Sequence, residues 1–126
     1  MDTLKRFMLT LRLRNSKYAV VEQCALFSRV IGGGVVSGFA ISNGAVCNHY
    51  WVEKDDEVFD VARSYSALFS PELNALTIQL VREIPEGQNV LGADDQETKR
   101  NAELYELYCT DPKAFWKQVV PFKKMS

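Results

Sequence analysis

Hydrophobic and polar positions change period several times along the chain, and each change marks an element. Residues 6 to 14 alternate, with Phe7, Leu9, Leu11 and Leu13 set against Arg6, Met8, Thr10, Arg12 and Arg14. That is strand periodicity, yet Leu4, Phe7, Met8 and Leu11 equally fit one helix face, so both forms stay open. After a break at Asn15-Ser16, Val20, Cys24, Phe27 and Ile31 recur at helical spacing within residues 17 to 31. Gly32-Gly33-Gly34 ends that helix, because glycine takes the left-handed C-terminal position without steric cost. Strand character then follows. Val35 to Ile41 is rich in β-branched and aromatic residues, Ser42-Asn43-Gly44 is a turn signal, and a second strand runs from about Ala45 to Glu53. A third follows from about Glu57 to Ala62, and Leu76, Ile78 and Leu80 alternate with Thr77, Gln79 and Val81 as a fourth, closed by Pro85 and Gly87.

The last third is helical. Asp94 with Glu97 three residues on reads as a capping box, and Ala102, Leu104, Tyr105, Leu107 and Tyr108 keep helical spacing. Thr110-Asp111-Pro112 stops this helix and opens another with Pro112 in its first turn, from which Phe115, Trp116 and Val119 would dock on the sheet. The order predicts an α+β fold over residues 1–126 as a single domain: a helix carrying Cys24 packed on an antiparallel sheet of about four strands, with C-terminal helices.

Composition supports one hydrophobic core. At 126 residues, with 47% apolar and 25% charged, the chain needs no covalent staples. A net charge of −1 offers no general attraction to nucleic acid or to anionic membranes. The basic start (Lys5, Arg6, Arg12, Arg14, Lys17) and the acidic stretches Glu53–Glu57 and Asp94-Asp95 read as solvated faces. Nucleic-acid binding would require Arg6, Arg12 and Arg14 to line one exposed face of a strand. No apolar run reaches membrane-spanning length, and no signal-peptide core is followed by a cleavage site. Cys24, Cys47 and Cys109 cannot all pair within one chain and fit no zinc-ligand spacing, so free thiols in a reducing cytosol are expected.

The candidate chemistry gathers at the single histidine. If the strands around Lys54-Asp55-Asp56-Glu57 pair across a turn at Lys54-Asp55, His49 faces Asp60 and Trp51 faces Val58. A turn at Asp55-Asp56 slips the register by two and leaves His49 and Asp60 as diagonal neighbours on one face. An aspartate beside an imidazole fixes its tautomer and stabilises its protonated form. Cys24, at or near the head of its helix, would complete a thiol catalyst, with the helix dipole favouring thiolate and Glu22 raising the thiol's pKa. Cys47 shares the His49 face and is a second candidate nucleophile, although side-by-side strand positions give it a poor line of attack. Cys47, His49 and Asp60 are also a weak candidate for three metal ligands. Trp51 is either a wall over His49 or sheet packing, and oxyanion donors would come from the Cys24 N–H, Gln23 or Tyr18.

Cys24-Ala25-Leu26-Phe27-Ser28-Arg29-Val30-Ile31, Val35-Val36-Ser37-Gly38-Phe39, His49-Tyr50-Trp51-Val52-Glu53 and Val58-Phe59-Asp60-Val61 together resemble the core of the transglutaminase-like superfamily. The Asp60-Val61 pair is also similar to arylamine N-acetyltransferases, which share the papain-like Cys-His-Asp core. The resemblance covers about residues 20 to 62 and is most specific at His49–Glu53. It implies Cys24 as nucleophile, His49 as general base and acid and Asp60 as orienting carboxylate, acting without cofactor or metal on a protein or peptide substrate. Hydrolysis or deamidation is expected over cross-linking, because so small a domain has little structure to exclude water. The alternative expectation is a catalytically inactive member of the fold, binding a protein target as an inhibitor or effector.

Overall fold

The computed structural model describes residues 3–14, 17–42, 44–62, 78–92 and 94–119, apart from the side chains of Lys5 and Arg12. Its elements run α1 (Thr3–Arg14), α2 (Val20–Ile31), β1 (Gly34–Ser42), β2 (Ala45–Lys54), β3 (Glu57–Phe59), β4 (Gln79–Val81), β5 (Val90–Leu91), α3 (Gln96–Thr110) and α4 (Pro112–Gln118). The fold is α+β, with sheet order β3-β2-β1-β4 antiparallel throughout and the two-residue β5 added in parallel to β2. Among the described residues no helix is long and apolar enough to cross a membrane.

Helical period wins at the N-terminus. Met8 and Leu11 are buried and Phe7 packs 5.6 Å from Phe27, whereas Leu13, which a strand face would bury, is 62% exposed. With α1 helical, the strand face proposed for Arg6, Arg12 and Arg14 does not form, and the Arg12 side chain lies outside the described residues. Helix α2 is the centre of the core. Eight consecutive residues, Val21 to Ser28, are buried, and Cys24 and Phe27 meet Val35, Tyr50, Val52 and Phe59 from the sheet. Full burial of Phe27 alone contributes about 2–3 kcal/mol.

Helix α2 ends where Gly32 and Gly33 both take positive φ, and the Lys54 ammonium donates to the Ile31 carbonyl at 2.6 Å. Its beginning lacks a side-chain cap at Ala19. Instead Glu22 reaches back to accept from the Ala19 N–H at 3.2 Å, and Asn101 Oδ1 accepts from the Val21 N–H at 3.2 Å across eighty residues of chain. Helix α3 is capped by Asp95 rather than Asp94, its Oδ1 accepting from the Thr98 N–H at 2.7 Å. The helix starts one residue later than the Asp94–Glu97 spacing implied, which moves the third helical position to Thr98. Asp111 closes α3 through its N–H to Leu107 and caps α4 through its carboxylate to Ala114. Phe115 and Val119 join the core, but Trp116 lies against α2, with the Arg29 guanidinium 4.4 Å above its ring.

The β2–β3 hairpin adopts the second of the two registers. Lys54 pairs with Glu57, Glu53 with Val58 and Val52 with Phe59, around a turn at Asp55 (φ 51°) and Asp56 (φ 64°). Positive φ at both central positions is the type I′ pattern, which aspartate tolerates better than lysine. That favours Asp55-Asp56 over Lys54-Asp55. Pairing stops at Phe59, short of Ala62, while Leu76 and Thr77 of the expected fourth strand lie outside the described residues and Ile78 just precedes β4.

Candidate active site

His49 and Asp60 meet. Strand alternation turns Val52 and Tyr50 towards α2 and sends His49, Trp51 and Glu53 to the opposite face, where Asp60 follows the core residue Phe59. His49 Nε2 and Asp60 Oδ1 are 2.8 Å apart, with the side chains 20% and 12% exposed. A carboxylate only accepts, so Nε2 is the donor. The neutral ring therefore carries its proton there and leaves Nδ1 as the basic nitrogen.

Cys24 approaches the same strand from the helix side. Next to the Asp55-Asp56 turn, Lys54 and Glu57 hold the hydrogen-bonded position that closes a two-residue antiparallel hairpin. Alternation then points the main chain of Tyr50 away from β1, to the outer edge of β2. On that edge β5 pairs at Val46–Cys47 and β3 at Val52–Lys54. Between them Cys24 Sγ donates to the Tyr50 carbonyl at 3.7 Å. The thiol is fully buried, and desolvation, followed by the charge of Asp60, pushes its pKa far above the ordinary value. Among the described residues no hydrogen bond joins Cys24 to His49.

The charge that opposes thiolate is thus that of Asp60 and not that of Glu22. Glu22 is spent on the Ala19 N–H and on Arg100 Nη2 at 3.3 Å. Of the oxyanion donors considered, Gln23 Nε2 is taken by the Tyr18 carbonyl at 2.8 Å. The Cys24 N–H, on the fifth residue of α2, lies beyond the four unbonded N–H groups of a helix start. Tyr18 lines a separate cavity of about 390 Å³ with Lys17 and Arg100.

A cavity of about 400 Å³ opens against β2 at Cys47, Asn48, His49 and Tyr50, with Val20 of α2 and Asn101 of α3 on its other walls. Four consecutive strand residues line one space only when that space runs along the strand edge. Val20 stands one helical turn before Cys24 on the same face of α2, and Cys24 itself does not line the cavity. Cys47 is half-buried and shares the cavity with His49. Among the described residues no group of three or more histidine, cysteine or acidic side chains is arranged to hold a metal ion.

Two neighbours were not named from the sequence: Asn101 holds the head of α2, and Arg82 pairs with Glu53 at 2.9 Å. Gly38, named there only within a longer motif, lies opposite His49 on β1. Gly38 carried a signal, an isolated glycine within a strand, which marks close approach by another group. Compared with known proteins, the chain matches no family model, no curated protein and no solved structure.

Proposed function

We propose that this protein is a small thiol-dependent acyl-transfer enzyme acting on a peptide or carboxamide carbonyl, with Cys24 as nucleophile, His49 as base and acid, and Asp60 as anchor of the ring. The observation that carries it is the 2.8 Å contact between His49 Nε2 and Asp60 Oδ1 beside an open cavity. The likeness of residues 20 to 62 to transglutaminase-like and papain-like cores supports the same three roles. Three free cysteines fit a reducing, cytoplasmic setting, and the chemistry needs no cofactor.

Burial and Asp60 hold Cys24 protonated at rest, so the reacting species is a thiol and not a standing thiolate. Sγ parts from the Tyr50 carbonyl, and its proton passes to His49 Nδ1 as sulfur bonds to the acyl carbon. The C–N bond then breaks, His49 returns the proton to the leaving amine, and a thioester remains on Cys24. Water gives a proton to His49 as its oxygen bonds to the acyl carbon. The C–S bond breaks, and His49 returns that proton to the leaving sulfur, releasing the acid and restoring the thiol.

A peptidyl acyloxymethyl ketone tests this. It is expected to alkylate Cys24 in the native protein, and Cys24→Ala or His49→Ala is expected to abolish the modification. Alkylation confined to Cys47 and Cys109 would overturn it.

One observation favours a second reading. Cys24 is 0% exposed and bonded to a main-chain carbonyl, as a small core residue would be. On that reading the protein is a non-catalytic member of the fold, and the cavity beside His49 receives a side chain of a protein target. Absence of Cys24 alkylation together with saturable binding to a protein partner at the cavity favours it.

A further inference from the structure

His49, Trp51 and Glu53 follow one another at alternate positions on the face of β2 turned away from α2. The Trp51 indole N–H donates to Glu53 Oε2 at 2.8 Å, and the other carboxylate oxygen accepts from Arg82 Nη2 at 2.9 Å. Gly38 is the partner of His49 on β1, and a methyl group there would run into the Trp51 ring. The indole therefore occupies the space where a side chain opposite His49 would stand. Its centroid is 6.2 Å from that of the imidazole, with the two planes 30° apart, and Trp51 is 2% exposed.

We propose that Glu53 is a positioning residue that fixes the plane of the His49 ring through Trp51. A single hydrogen bond at Nε2 leaves an imidazole free to swing its Nδ1 about that bond. A flat ring laid beside it removes the swing, provided the flat ring is itself held. Glu53 holds it at the indole nitrogen, Gly38 makes room beneath it, and Arg82 steadies the carboxylate from the solvent side. The spacing His49-x-Trp51-x-Glu53 is thus one mechanical unit on one strand face. The inference rests on the proposed acyl transfer only in giving Nδ1 a proton to carry.

The chain has one histidine, so its ring signals in an NMR spectrum need no assignment by mutation. Trp51→Leu gives the shifts without the indole ring current. In Glu53→Ala the His49 ring protons are expected to lose most of the displacement that separates wild type from Trp51→Leu. Glu53→Gln, whose amide oxygen still accepts from the indole, is expected to keep more than about half of it. Arg82→Ala, at an exposed position that does not threaten folding, is expected to give a smaller loss in the same direction. For acyl transfer, Glu53→Ala is expected to lower kcat by roughly tenfold or more with KM nearly unchanged. Wild-type ring shifts in folded Glu53→Ala and Arg82→Ala would overturn the proposal. Lost ring displacement in a protein with no acyl transfer would uphold the positioning and sink the enzymatic reading alone.

Discussion

Asp60 serves two neighbours with opposite needs. For His49 it is the acceptor that places the proton on Nε2, and for Cys24 it is a like charge that opposes ionisation. Asp60→Asn keeps an oxygen acceptor while removing the charge, so the two effects separate. The ring should keep its Nε2–H form, visible in its 15N shifts. Cys24 should titrate lower than in the wild type, because one cause of its upward shift is gone. At pH 9 to 10, alkylation of Cys24 by iodoacetamide, followed by mass spectrometry, should therefore be faster in Asp60→Asn. An equal or slower rate would mean that burial alone holds the proton. The His49–Asp60 pair was legible in the sequence because two-residue periodicity survives a register slip of two. The bond of Cys24 was not, since it runs to a main-chain carbonyl and no side-chain pattern reports that.

Elements depend on each other through caps as much as through packing. The N–H of Val21 at the head of α2 is buried and bonded to Asn101 on α3. Asn101→Ala leaves that donor without a partner, at a cost of about 1–2 kcal/mol. The thermal midpoint should fall by several degrees. Exchange of the Val21 amide should accelerate more than that of amides deeper in α2. Uniform acceleration would show that the bond acts on global stability alone. Every described helix and strand answers to a segment visible in the hydrophobic pattern, except the two-residue β5, too short to show a period. The pattern at residues 6 to 14 fits strand and helix equally, and tertiary packing decides it: Met8 and Leu11 find the core while Leu13 stays in water. The edge of α3 was misplaced by one residue because Asp94 and Asp95 are equally good caps in sequence, and only the first turn's geometry separates them.

The whole molecule should lose stability in mild alkali. Below the ordinary thiol value of 9.0, folded and unfolded chains both keep the Cys24 proton, and its contribution is fully present. Above it the unfolded chain releases that proton and the folded chain does not, so each pH unit favours unfolding by about 1.4 kcal/mol per such group. Tyr50 and Tyr105, also raised by burial, add to the loss above their ordinary value of 10.0. Denaturant titrations between pH 8 and 10 should show this slope, and Cys24→Ser should remove its part below pH 10. An unchanged slope in Cys24→Ser would assign the loss elsewhere. The Asp55-Asp56 turn carries a consequence in time. It joins His49 to Asp60 across eleven residues, whereas the bond that caps the helix of Cys24 spans eighty. Closing the longer loop costs roughly 1.8 kcal/mol more chain entropy, and a hairpin forms in about 1–10 μs. A refolding chain should therefore own its imidazole–carboxylate pair before the helix bearing the thiol is sealed, and pulse-labelled amides of β2 should be protected ahead of Val21.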